Sequence, residues 1–319
     1  MSKSIKSDKQ LLRDLCNTDE KVPIFFTDWW LDCVCGDDWM VLCYYEDPNT
    51  VAIMPFYLKK RGFFSYVTMP VLTKFMGPFF LRDFTERKKQ SIIVKMLREL
   101  PSFHGFTQTL HYQITNWLPY RWAGYQQTAY YSYQLTGITD IKKTWRGIDV
   151  DYRNNKMNRA MTLATIVEDL DFESFFLITS QPFHRQKISA PYSKKELHDI
   201  YDLVYKHNRG KSFYARDENG KVLAAVLIVW DEERCYLLLA GENEDSRNQG
   251  VGIYTIWKSI EYASQILKLS IFDFLGGMSE NLERTRRQFG AEQIPYFLVE
   301  KNTTVFRVIK DVLSLVRRR

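Results

Sequence analysis

Apolar residues alternate, or run unbroken for a few positions, over Trp39 to Tyr45, Thr50 to Leu58, Phe63 to Leu72, Phe106 to Gln113 and Tyr130 to Leu135. Short runs rich in aromatic and β-branched residues, bounded by turn residues such as Glu46-Asp47-Pro48-Asn49 and Gly77-Pro78, predict strands. A different period breaks in at Glu86 to Leu100, where Ile92, Ile93, Met96, Leu97 and Leu100 fall on one helical stripe. The first 21 residues read as a short helix with polar flanks. Strands with helices between them predict a mixed α/β domain over residues 1–138.

Residues 139–164 read as helical and form a bridge, with Arg153, Lys156 and Arg159 three apart and so on one predicted helix face. Residues 165–319 predict a second α/β domain. It opens with a strand over Thr165 to Glu168 and a helix over Asp171 to Ser180 that Pro182 should end. Ser193 with Glu196 is a capping box for a helix over Lys194 to His207. Strands over Ser212 to Arg216 and Lys221 to Trp230 face each other across Asp217-Glu218-Asn219-Gly220, whose Asn-Gly is a hairpin signal. A strand over Cys235 to Ala240 then leads through a glycine-spaced loop into a helix over Ile253 to Leu267. Ile271 to Gly277, Ser279 to Gln288 and Tyr296 to Glu300 predict strand, helix and strand. Val305, Val308, Ile309, Val312, Leu313 and Val316 recur at helical spacing before Arg317-Arg318-Arg319, which suits a helix docked on the second domain or one lying on an anionic membrane face. No tandem repeat of 20–50 residues is visible.

Length fits two domains: 319 residues exceed what one compact core ordinarily holds. The longest apolar run, Val222 to Trp230, is too short to span a bilayer and reads as a buried strand. The opening MSKSIKSDKQLLRD has neither an apolar core nor a small-residue cleavage site, which predicts a cytoplasmic protein. Cys16, Cys33, Cys35, Cys43 and Cys235 show no metal-ligand or redox spacing, so reduced thiols and no metal are expected. The net charge of +6 gathers at Lys142, Lys143, Arg146, Arg153, Lys156 and Arg159, at Arg284, Arg286 and Arg287, and at the terminal arginines. Such clusters favour an anionic partner, among them coenzyme A, a nucleotide-linked precursor, tRNA or an anionic membrane.

Candidate chemistry centres on Arg247-Asn248-Gln249-Gly250-Val251-Gly252. A strand, a glycine-spaced loop and a helix start present backbone N–H groups and a helix dipole to a phosphate. Gly250 and Gly252 let a pyrophosphate approach, and Arg247 supplies a planar cation. No Lys-Ser or Lys-Thr follows, so it is not a Walker loop, and the third glycine of the dinucleotide fingerprint is absent.

With the Arg-x-x-Gly-x-Gly loop, the order strand, loop, helix, strand, helix, strand resembles the acyl-CoA-binding half of the GNAT acyltransferases. The phrase FDFLGGMSENLERTRRQFGAEQIPYF is similar to the C-terminal signature of their FemAB-like branch, which carries two GNAT-type domains in tandem. The resemblance is specific over residues 150–301 and looser before them. It implies two mixed-sheet domains flanked by helices, the first without a carrier loop, and a cytoplasmic N-acyltransferase using acetyl-CoA or another acyl-CoA. Leu239, Ala240 and Gly241 would run beside the pantetheine arm, and Arg247 to Gly252 would hold the pyrophosphate. Asp273 and Glu280 are the candidate bases, while Arg153, Lys156, Arg185 and Tyr192 would line the acceptor cleft. One departure is plain: Asn281 to Phe289 holds no Tyr where an ordinary GNAT helix places the acid that protonates the leaving thiolate. The implied acceptor is an amine on an envelope sugar or peptidoglycan precursor, with no role for DNA. An aminoacyl-tRNA donor, as in the Fem peptidyltransferases, stays open, and so does a non-catalytic protein gripping a nucleotide-linked or membrane glycan.

Overall fold

The computed structural model describes residues 5–18, 21–46 and 49–308. The chain divides into two compact units, one of residues 1–130 with 295–319 and the other of residues 131–294.

In chain order the first unit contains β1 (Ile5–Ser7), α1 (Lys9–Thr18), α2 (Asp28–Cys35), β2 (Trp39–Glu46), β3 (Asn49–Arg61), β4 (Phe64–Thr68), β5 (Phe79–Phe80), α3 (Glu86–Arg98), β6 (Gly105–Thr109) and α4 (Leu118–Trp122). β7 (Gln126–Thr136) carries the chain into the second unit, made of α5 (Ile141–Gly147), a π-helical turn at Tyr152–Met157, α6 (Asn158–Leu163), β8 (Thr165–Glu168), α7 (Phe172–Arg185), α8 (Lys194–Lys206), β9 (Gly210–Arg216), β10 (Val222–Trp230), β11 (Arg234–Glu242), α9 (Val251–Gln265), β12 (Ile271–Asp273) and α10 (Glu280–Gln288). β13 (Glu292–Asn302) then leads back into the first unit.

Each unit has a mixed sheet, and the two sheets follow one plan. The first runs β1-β2-β3-β4-β6-β13 and the second β8-β9-β10-β11-β12-β7. In both, antiparallel ladders join the first four strands, a parallel ladder follows (β4 with β6, β11 with β12), and an antiparallel ladder closes the series (β6 with β13, β12 with β7). A crossover helix, α3 or α9, makes each parallel connection, as parallel pairing requires. One topology is thus repeated in the two units, as the resemblance to tandem GNAT-type domains implies. The repeat that the residues do not show is explicit in the hydrogen-bond ladders.

The predicted boundaries at residues 138 and 164 differ from these units. The helical bridge belongs to the second unit, and β13 belongs largely to the first, because Leu298–Asn302 pair with Gly105–Thr109. Pairing over so long a separation leaves no mark in local periodicity. Of the predicted C-terminal helix, residues 304–308 are helical and the remainder lies outside the described residues.

Each unit buries its own core. In the second, Ile256, Trp257 and Ile260 of α9 pack with Ile228, Leu237, Phe272 and Phe289. Burying side chains of this size contributes about 1.5–3 kcal/mol each. In the first, Ile92, Ile93 and Met96 of α3 join Phe56, Phe106 and Tyr120, which accounts for the stripe seen in the sequence.

Two local expectations are corrected. Pro182 lies inside α7 near its C-terminus and does not end the helix before it. A proline there removes the N–H that would reach Ile178 and sets its ring against that carbonyl. Arg153 and Lys156 sit in the π-helical turn Tyr152–Met157, whose wider winding breaks the single α-helical face read from their spacing.

Candidate active site

The second unit's sheet opens at one place. β11 and β12 are paired only from Arg234–Ile271 to Tyr236–Asp273. Beyond that pair β11 runs on through Leu237 to Glu242 bonded to β10 alone among the described strands, while Phe274 turns away to donate its N–H to the Tyr133 carbonyl (2.9 Å). A register shift at Leu227/Ile228, opposite Leu237 and Leu239, puts an extra residue into β11 where the strands part. The far edge of β11 is therefore a strand edge inside the domain, with N–H and C=O groups to offer to a ligand.

Leu239, Ala240 and Gly241 lie on this stretch, with Ala240 exposed and Gly241 buried. Gly241 is required by packing: a methyl there would strike the Ile178 carbonyl and the Thr179 backbone of α7. Ile178 is the residue whose carbonyl Pro182 cannot bond.

The Arg247–Gly252 loop is shaped as predicted but its seat is occupied by the chain itself. Gly250 caps α9 with φ +83°, the left-handed region that favours glycine. A methyl at this position would collide with the Lys156 backbone carbonyl, so the missing Cβ serves internal packing. Asn248 is also left-handed (φ 69°). Gln249 bonds the Asp245 carbonyl (3.1 Å), Val251 is fully buried, and Arg247 is exposed. The Gly252 N–H donates to the Glu242 carboxylate (3.2 Å), an anion on the helix N-terminus where a phosphate was expected. Burial raises the Glu242 pKa, and the Gly252 N–H, Arg185 and Arg247 each pull it back down. Glu242 thus draws together three residues the sequence singled out, yet was itself overlooked. Its one signal was a carboxylate ending a strand just before a glycine-spaced loop.

The proposed bases fare differently. Asp273 is fully buried, accepting from Ser132 Oγ (2.7 Å), Gln134 Nε2 (2.8 Å) and the Leu275 N–H (2.8 Å). These three donors give it a structural duty, pinning β7 and the turn after β12. Glu280 is exposed at the first position of α10. Tyr192 is buried edge-on to Phe183 (5.8 Å), with its pKa pushed up to about 12 by burial. Arg185 is exposed in the last turn of α7. Arg153 Nε donates to the Ile148 carbonyl (2.9 Å), and Lys156 pairs with Asp151 (3.7 Å) and lies over the Tyr152 ring (4.6 Å), so both have local duties.

Arg286, read only as one of a surface cluster, proves to be the most unusual charge in the unit. It is 8% exposed and stacks on Phe274 (4.8 Å) one residue past the last β11–β12 pair; its buried Nε has no hydrogen-bond partner, and its guanidinium forms no ion pair with any described residue. Burial lowers its pKa to about 10. A buried guanidinium without an acid is costly and calls for an anion.

Residues 150–291 match the acetyltransferase (GNAT) domain family, a span that takes in β8–β12, the loop and Arg286. The second unit carries a GNAT acyltransferase domain. That domain makes the chain an N-acyltransferase. Among solved structures the chain is similar to FemX (11% identity, TM-score 0.72, covering 95% of this chain and 98% of that one). It is also similar to the C-terminal domain of a putative lysylphosphatidylglycerol synthetase from Agrobacterium fabrum (11%, 0.54, 88% and 89%) and to a GNAT-family acetyltransferase from Colwellia psychrerythraea (12%, 0.50, 94% and 99%). At these identities the likeness is one of fold. No curated relative matches the sequence. Within the GNAT domain no three potential metal ligands cluster among the described residues.

Proposed function

We propose that the GNAT domain moves an acyl group from a carrier laid along β11 to an amine, in the opening beyond Tyr236 and Asp273. The observation that supports it is the parting of β11 from β12, which leaves a strand edge able to bond an amide-bearing carrier arm as an added strand would. Backbone N–H groups of Leu239 to Gly241 would polarise the acyl carbonyl. Arg286 would hold negative charge on the donor or on the tetrahedral intermediate, a role for which its buried, unpaired guanidinium is prepared. Glu280, not Asp273, is the predicted carboxylate left to take the amine proton. The acceptor in this reading is an amine on an envelope sugar or peptidoglycan precursor, met on the cytoplasmic side.

The donor is acyl-CoA in the first reading, with its pyrophosphate on the N-terminus of α9 once Glu242 swings out and Arg185 and Arg247 turn to the phosphates. A second reading is favoured by Glu242 itself. An anion already on Gly252 N–H repels a pyrophosphate and attracts an ammonium, such as the α-amino group of an aminoacyl ester carried by tRNA. Calorimetric titration with coenzyme A and acetyl-CoA, using wild type, Glu242→Gln and Arg247→Ala, separates the two. Acyl-CoA binding tightened about tenfold by Glu242→Gln (about 1.4 kcal/mol) and weakened by Arg247→Ala supports the first. Absence of CoA binding together with salt-steep binding of aminoacyl-tRNA supports the second. Binding of neither donor sinks the acyl-transfer reading.

A further inference from the structure

The hairpin joining β3 to β4 ends in a two-residue turn. Arg61 is in register with Phe64, which leaves Gly62 and Phe63 at the tip. Gly62 has φ +57° and open space around it, fitting a tight turn with glycine first. Phe63 is 97% exposed, so its ring touches almost nothing in the protein. Lys60 and Arg61 immediately precede it, both exposed and neither in an ion pair with any described residue. The acids of the neighbouring strand's approach, Asp37 and Asp38, precede Trp39, which pairs with Tyr57 and so lies set back from the tip.

A second apolar element stands beside this tip. Phe306, on the helical turn 304–308, packs on Phe64 (5.8 Å) and Tyr66 (5.4 Å) of β4. Val305 and Val308, on the side of that turn away from Phe306, are 62% and 56% exposed, and Arg307 lies between them in sequence. One exposed side chain is ordinary, but Phe63, Val305 and Val308 exposed beside one another make an apolar patch, which marks a contact surface.

We propose that the Lys60-Arg61-Gly62-Phe63 tip, with the Val305 and Val308 turn beside it, docks on the surface of an anionic lipid bilayer. The ring enters the headgroup boundary, where aromatic side chains settle, and Lys60, Arg61 and Arg307 meet the lipid phosphates. The charge complementarity is one-signed at the tip, and no described helix is long and apolar enough to cross a membrane, so the contact is peripheral. This inference does not depend on the acyl-transfer reading; its centre is the β3–β4 tip, and Val305 and Val308 begin the C-terminal helix whose spacing also suits an anionic membrane face.

Flotation of the full chain with phosphatidylcholine vesicles, with and without phosphatidylglycerol at about three lipids in ten, tests it. Wild type should float with the anionic vesicles and much less with neutral ones. Phe63→Ser should cut partitioning at least tenfold, as should Lys60→Glu with Arg61→Glu. Phe63 packs against nothing, so melting temperatures should be unchanged. Failure of the wild type to float would overturn the proposal and point to a protein partner. Undiminished flotation of Phe63→Ser would overturn it equally, leaving the lipid contact to another part of the chain.

Discussion

Arg286 stores a cost that substrate binding can relieve. Its guanidinium is buried, its pKa is lowered to about 10 by that burial, and it lies over the Phe274 ring. Replacing it by Met keeps the length and removes the charge. Arg286→Met is expected to raise the melting temperature of the unliganded protein by about 2–4 °C while lowering acyl transfer by roughly a hundredfold. Calorimetry and turnover on the same preparation check this; a fall in both would make Arg286 a structural residue. Glu242 yields a pH signature. Burial raises its pKa in the folded chain above its unfolded value. Any stability it contributes is therefore full below the ordinary glutamate value and is lost as pH rises through the raised one. Glu242→Gln should melt higher than wild type at neutral pH, by about 2–4 °C, and the two should coincide near pH ~4. A gap that stays constant with pH would assign the difference to packing.

At the scale of elements, the loop before α9 and the π-helical turn Tyr152–Met157 depend on each other. Gly250 is left-handed and pressed on the Lys156 carbonyl, so the loop is shaped by the turn as much as by its own glycines. Gly250→Ala combines a strained φ with a steric collision and should cost about 2–4 kcal/mol, read as a lower urea midpoint at unchanged slope. The capping box at Ser193 is a simpler case. Its hydroxyl accepts from the Glu196 N–H (3.2 Å), and the Glu196 carboxylate accepts from the Ser193 N–H (2.7 Å). Both bonds are local, which is why the motif was readable.

For the molecule as a whole, the closing strand of the first unit comes from the far end of the chain. Ending the chain after Ala291 removes β13, and with it the partner of Gly105–Thr109. Hydrogen exchange should then show β6 amides losing protection while β9 and β10, paired with each other, keep theirs. Equal loss in both units would mean that they unfold as one.

Much of the fold was legible because its signals are short-range. The hairpin at Asp217–Gly220, where Asp217 Oδ1 accepts the N–H groups of Asn219 (3.0 Å) and Lys221 (2.9 Å), rests on bonds a few residues long. So do the α3 stripe, the capping box and the strand-loop-helix around Gly250, and the resemblance they carry led to the right fold. The site was legible only in outline. That Asp273 is consumed by Ser132 and Gln134, that Glu242 sits on Gly252, and that Arg286 is buried without an acid each depend on residues far apart in sequence or on burial. The same holds for the exchange that gives β13 to the first unit and β7 to the second. By itself the sequence determined the longer helices and strands and the loop they frame, because period and turn chemistry act locally, while the short helices α2 and α4 were not read from it. Only the tertiary structure decided which charged groups are spent on the fold and which are kept for a ligand, because that is settled by what each side chain meets when the sheets form.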